Sequence, residues 1–211
     1  SVDVDAEYDG WGLYGDATFH VTEDLDFVVG ARYTEDNRDF AQDFGGEERN
    51  VYWYTFPFYT SDFVQGDDQW TNTSVRAAVN YQLSDEVSTY ATYSTGYKAG
   101  GFNTMELSFA EGITADDLDG EDALDFDPSL ASFDKEEVTN LELGLKGRFL
   151  DGQMQLNAAL YSYQFDGMQS GYYVDGRYTV ANVGDAEGSG LELDMRYLPS
   201  DNFDIYLGLA W

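Results

Sequence analysis

The chain has 211 residues and carries 41 acidic side chains against 10 lysines and arginines, a formal net charge of -31. That balance excludes a general affinity for nucleic acid, whose phosphates it would repel. Cysteine is absent, which excludes a disulfide framework and thiolate metal sites, and no apolar run approaches the roughly 20 residues of a membrane-crossing helix.

Aromatic residues make up 17% of the chain, with 22 glycines and only 3 prolines. Rings favour pleated surfaces and glycine favours tight bends, so the mixture points to β structure with many turns rather than to disorder. A mean hydropathy of -0.45 would suggest a soluble protein, but barrel strands that alternate lipid-facing and lumen-facing residues keep their mean hydropathy equally low. The first ten residues, SVDVDAEYDG, have neither a basic start nor an apolar core, so no signal peptide is expected there.

In chain order, a first strand is predicted over residues 6–20, with Trp11, Leu13, Ala17 and Phe19 on odd positions and Tyr14, Asp16, Thr18 and His20 on even ones. A polar turn at 22–24 leads to a second strand, with Leu25, Phe27, Val29, Ala31 and Tyr33 against Asp26, Gly30, Arg32 and Thr34. Two such strands around a short turn make a hairpin. Residues 35–69 read as a long polar connection holding six rings: Tyr52, Trp53, Tyr54, Phe56, Phe58 and Tyr59. Alternation resumes at Trp70, with Val75, Ala77, Val79 and Tyr81 opposed to Ser74, Arg76, Asn80 and Gln82. A turn at 83–86 feeds the fourth strand, which ends in the stretch YATYSTGYKAGGFN at 90–103.

An acidic connection follows, densest at 116–127. A fifth strand begins near Glu136, with Leu141, Leu143, Leu145 and Phe149 against Glu142, Lys146 and Arg148. It turns at Asp151-Gly152, a hairpin signature. The sixth strand, 153–168, places Tyr161, Tyr163 and Phe165 on its polar parity, where a bulge is expected. After a shorter connection at about 171–185 come the seventh strand, with Leu191, Leu193, Met195 and Tyr197 odd, and the eighth, with Phe203, Ile205, Leu207, Leu209 and Trp211 odd.

Short turns and long connections alternate, as they do at the two ends of outer-membrane barrels. The cations Arg32, Arg76, Lys98, Lys146, Arg148 and Arg196 all fall on the polar parity of their strands. A soluble β-sandwich would also hide one face. However, strands of about 10 to 15 residues suit the tilted transmembrane strand better than the usual sandwich strand of about 5 or 6.

The run YATYSTGYKAGGFN resembles a stretch in the barrel of TonB-dependent outer-membrane receptors. The segments LDFVVGARYT at 25–34, NLELGLKG at 140–147, QLNAA at 155–159 and NVGDAEGSGLE at 182–192 resemble further parts of that barrel in the same order. The resemblance implies an all-β fold, an antiparallel transmembrane β-barrel of the 22-stranded type, in a bacterial outer membrane. It also implies a receptor that imports a scarce ligand (an iron chelate, haem, a vitamin or a carbohydrate) by energy-coupled transport. The expected partners are outer-membrane lipid, the rest of the barrel with its plug, the TonB energy-coupling complex acting through that plug, and a small-molecule ligand. The chain departs from the family's pattern in showing about eight strands, no plug and no coupling box. At about 26 residues per strand a complete barrel of this type needs on the order of 500 to 600 residues, so residues 1–211 are expected to be part of the barrel domain only. The alternatives are a passive porin, or a complete small eight-stranded barrel with a structural or adhesive role, which would require the first and last strands to pair.

The six rings at 52–59 are candidate ligand contacts, against packing between loops or in an aromatic girdle. The acidic run lacks the spacing of an EF-hand and reads as a solvated loop. The six cations are expected to face the lumen, with Arg196 paired to Glu192 or Asp194. The only histidine, His20, is expected to hydrogen-bond in the lumen. Tyr93 and Tyr97 read as lipid-facing rings, with Tyr97 in the outer girdle, while Lys98 points into the lumen near the rim and Gly100 and Gly101 let the backbone leave the wall. No catalytic constellation, cofactor motif or metal-ligand spacing is visible, so an enzyme is not expected.

Overall fold

In the computed structural model, residues 3–43, 63–103, 132–174 and 177–211 are described. They form twelve strands: β1 (Asp3–His20), β2 (Leu25–Asp43), β3 (Phe63–Ser84), β4 (Val87–Lys98), β5 (Gly101–Phe102), β6 (Ser132–Phe133), β7 (Glu136–Phe149), β8 (Met154–Asp166), β9 (Gln169–Val174), β10 (Arg177–Asn182), β11 (Ala186–Ser200) and β12 (Phe203–Ala210). Eight of them make one antiparallel sheet in the order β1-β2-β3-β4-β7-β8-β11-β12, and β5-β6 and β9-β10 make two short ribbons. The four tight turns all lie at one end of the large sheet. At the β7–β8 turn Leu150, Asp151 and Gly152 all have positive φ, of 58°, 55° and 84°, and Gln153 N–H donates to the Leu150 carbonyl at 3.1 Å; left-handed residues at the two central positions are what a twisted hairpin favours.

Pairing carries the alternation of each strand across the sheet. Ala77 stands opposite Tyr93, Tyr93 opposite Leu141, Leu143 opposite Leu160, and Leu160 opposite Leu191, so the apolar parities share one face. Leu141 and Leu143 remain more than half exposed there. Among the described residues no second layer covers that face, as a sandwich would require. Its upper edge is marked by the rings of Trp11 and Tyr33, 5.3 Å apart. One step beyond, Asn37 donates to Asp9 and Gln69 donates to Asn37, a polar ladder across β1, β2 and β3.

The structure corrects two expectations about the strands and decides against one alternative. The residues at 35–43 and 63–69 are strand, with pairing continuous to Asp43 and Phe63. Here the outward parity is polar and the other face is partly covered by the chain after β4, so hydrophobic alternation ends while the backbone ladder continues. Next, β8 has no bulge at Tyr161: its register against β7 and β11 is unbroken, and Tyr161, Tyr163 and Phe165 lie on the polar face. Finally, the closed eight-stranded barrel is not formed, because β1 and β12 are both edge strands of an open sheet.

Candidate functional site at the upper end of the polar face

The pairing register puts Arg32, Arg76, Lys98, Lys146, Arg148 and Arg196 on the same face of the sheet. Arg32 Nε donates to Thr34 at 3.1 Å and its guanidinium lies 6.0 Å from the Tyr14 ring centre. Lys146 sits 5.3 Å from the centre of the Tyr90 ring. Arg196 pairs with Asp204 at 2.8 Å, not with Glu192 or Asp194. Residues two or four apart along a strand are separated by about 7 or 13 Å, whereas Asp204 reaches Arg196 diagonally from the neighbouring strand. Among the described residues no ion pair engages Arg76, Lys98 or Arg148. His20 Nδ1 meets Asp26 at 2.6 Å across the β1–β2 hairpin, at the short-turn end. The six rings Tyr52, Trp53, Tyr54, Phe56, Phe58 and Tyr59, and the acidic run at 116–127, lie outside the described residues.

At the opposite end of the polar face a groove of about 600 Å³ runs along β1 and β2, bordered by Tyr8, Arg32, Thr34, Asp36 and Arg38. It exists because β1 carries glycine at two successive positions of this face, Gly10 across from Asp36 and Gly12 across from Thr34. A Cβ at Gly10 would come 2.8 Å from the Asp36 carboxylate, and one at Gly12 would come 3.0 Å from the Arg32 guanidinium. Arg38 stands between two rings, 5.1 Å from the centre of Tyr8 and 5.8 Å from that of Trp70. Such stacking favours a cation and holds its planar fork in one orientation. Two guanidiniums beside an open bay can take an oxyanion by charge-assisted hydrogen bonds. Arg38 is the residue that sequence reasoning missed. It falls in the stretch taken for a connection, although Arg32, Thr34, Asp36 and Arg38 keep the even parity of β2.

The other half of the site is a small buried core, which a single-layer sheet would not have. Phe40 and Trp70 are only 4% and 6% exposed, because the chain after β4 lies on them. The Phe102 ring is 4.6 Å from Phe40 and 5.9 Å from Trp70, and Gly100 backs directly onto the Trp70 indole. Tyr97 is part of this core and is not in the lipid-facing girdle where alternation places it. Its hydroxyl donates to Asp36 at 2.7 Å and to the Trp70 carbonyl at 3.4 Å. Burial first, and then the bond to Asp36, push its ionisation above the ordinary tyrosine range.

Polar side chains tie the remaining segments to this core. Asn103 makes two hydrogen bonds to the Val180 backbone, at 2.8 and 2.9 Å. Gln169 Nε2 donates to the carbonyls of Ala99 and Asp134, each at 2.9 Å, and Asn182 joins Asp134 to Gly167. An asparagine or glutamine amide offers donors and an acceptor at once, which suits it to irregular backbone. These ties were invisible as sequence motifs, since each links segments 15 to 77 residues apart.

The sequence matches the family model described as "TonB dependent receptor-like, beta-barrel" over residues 1–211. It is 28% identical over 194 residues to the pesticin receptor of Yersinia enterocolitica, covering 91% of this chain and 24% of that protein. The pesticin receptor of Yersinia pestis matches at 27% identity over the same shares. The chain thus spans about a quarter of the length of the curated relatives it matches. Among solved structures, it resembles the ferric yersiniabactin uptake receptor FyuA from Yersinia pestis with a TM-score of 0.69 at 21% identity, over 99% of this chain and 27% of that one. The siderophore receptor PiuA from Acinetobacter baumannii matches with a TM-score of 0.63 at 20% identity, over 99% and 26%. The chain belongs to the TonB-dependent receptors and forms part of their antiparallel β-barrel, in the outer membrane of Gram-negative bacteria.

Proposed function

We propose that these residues are part of the barrel wall of a receptor that imports a scarce anionic iron chelate by energy-coupled transport. In this reading the apolar face meets lipid and the polar face meets a lumen that holds a plug, through which the TonB complex supplies the work. The observation that carries the ligand class is the groove of Arg32 and Arg38 beside the glycine bay of β1. Similarity to a ferric yersiniabactin uptake receptor supports an iron chelate as the ligand. The rings at 52–59 are proposed as the first contacts of the arriving ligand, and Arg76, Lys98 and Arg148 as further positive charge along its path. No bond is made or broken by the residues involved, so their part is binding and passage.

The test uses cells that express the full-length receptor and lack other ferric chelate receptors, with radiolabelled ferric yersiniabactin as the first probe and ferric citrate as the second. Energy-coupled import predicts uptake that stops when the proton-motive force is collapsed. Arg38→Ala removes a charged donor worth about 1.5–3 kcal/mol and should weaken binding roughly tenfold or more. Uptake that continues after uncoupling would establish a passive pore instead.

A further inference from the structure

We propose that the upper ends of β4 and β7, together with β5 and β6, form a hinged flap of the barrel wall that folds inward over the mouth and is latched by Tyr97. The β3–β4 pairing stops at Arg76 opposite Ser94, and at the next step the Val75 N–H bonds the Thr95 hydroxyl in place of a backbone carbonyl. The β4–β7 pairing, by contrast, runs on without a break to Lys98 opposite Glu136. From residue 95 upward, therefore, β4 and β7 are a ribbon released from β3 along its β4 edge and anchored to the wall through β8, which pairs with β7 up to Glu137 opposite Asp166.

Tyr97 and Glu137 stand opposite each other on the apolar parity of this ribbon, yet they bond residues of the polar parity of β2 and β3. Tyr97 donates to Asp36, and Glu137 accepts from Asn72 at 2.7 Å. That crossing of parities requires the ribbon to lie on the inner face of β2 and β3 instead of continuing their wall. The seam between the two layers holds Phe40, Trp70 and Phe102, and Arg38 on one layer lies against Gly101 on the other. The flap carries the β9–β10 ribbon with it through Gln169 and Asn103.

The β4 edge of this ribbon, paired on one side only above residue 94 and held to the inner layer by the bonds of Tyr97, the Asn72–Glu137 bond and a small apolar seam, opens at lower free energy than the doubly paired wall below it. Its hinge is at 94–96, where Gly96 lies against Val138. When folded in it narrows the mouth beside Arg38, and when swung out it uncovers the Arg38 side of the groove. The flap stands on its own geometry and does not depend on which ligand is imported.

Hydrogen exchange read by mass spectrometry on the full-length receptor in detergent micelles tests it. Tyr97→Phe keeps the ring and removes the latch, and Asn72→Ala removes the second bond. Each should speed exchange at 97–103 and 132–137 roughly tenfold or more, as expected for loss of a hydrogen bond to a charged group. Protection at 141–147 in the wall should stay unchanged, which also shows that the barrel has folded. Tyr33→Phe is the control, because Tyr33 makes the same kind of bond to Glu35 away from the flap. The proposal fails if the first two variants leave the flap amides as slow as in the parent, or if Tyr33→Phe moves them equally.

Discussion

Tyr90 lies across Gly144, its direct partner on the next strand, and reaches Glu142 with its hydroxyl at 2.6 Å. Tyr161 covers Gly190 and Tyr163 covers Gly188 in the same way, with the two rings within 8° of parallel. These tyrosines sit on the polar face because glycine leaves the neighbouring strand bare and the ring shields its backbone. The arrangement explains why rings at 161 and 163 need no bulge. A methyl group at residue 144 would occupy the place of the Tyr90 ring, so Gly144→Ala should destabilise the full-length receptor by about 1–3 kcal/mol. Gly15 has nothing within 4 Å of where a Cβ would stand, and Gly15→Ala should change stability by no more than about 0.5 kcal/mol. Urea unfolding in lipid vesicles compares the two, and an equal loss at both would mean that the covering rings contribute nothing specific.

At the scale of the element, legibility followed the solvent. Where one face of a strand meets lipid, as in β7 with Leu141, Leu143 and Leu145 against Glu142 and Lys146, alternation names the strand and its orientation together. Where the outward face is polar and the other is covered only in part, the signal is lost: β2 beyond Thr34 and β3 before Trp70 read as a connection, although their ladder continues to Asp43 opposite Phe63. Arg38 and the groove were missed for that reason alone. The inward turn of β4 was half legible. Gly100 and Gly101 announced that the backbone leaves the wall, but nothing local to Tyr97 says that a ring on the lipid parity is needed at a seam. Continuous pairing in the upper arms of β2 and β3 predicts that amides at 36–42 and 66–69 exchange slowly in the full-length receptor. A free connection there would exchange within the dead time of the experiment, so the two outcomes separate cleanly.

For the whole molecule, the rhythm of four tight turns and three long connections agrees with the sheet order, but the open edges of β1 and β12 do not follow from it, because a closed eight-stranded barrel has the same rhythm. Charge is the property that neither pairing nor alternation explains. Against a formal net charge of -31, the lysine and arginine ion pairs among the described residues are Lys135–Glu137 and Arg196–Asp204. Some carboxylates face other carboxylates directly, as Glu7 faces Asp39 and Asp39 faces Asp67 across β1, β2 and β3. Like charges directly opposite on a sheet oppose folding, and their repulsion extends over about 30 Å at 0.01 M salt but only about 3 Å at 1 M. Raising sodium chloride through that range should consequently raise the urea midpoint of the receptor, most steeply below about 0.15 M, where the screening length falls from about 30 Å to about 8 Å. A midpoint that falls with added salt would show that attractive pairs outweigh this repulsion. In that event the acidic faces of β1, β2 and β3 must be neutralised by partners held against them in the membrane.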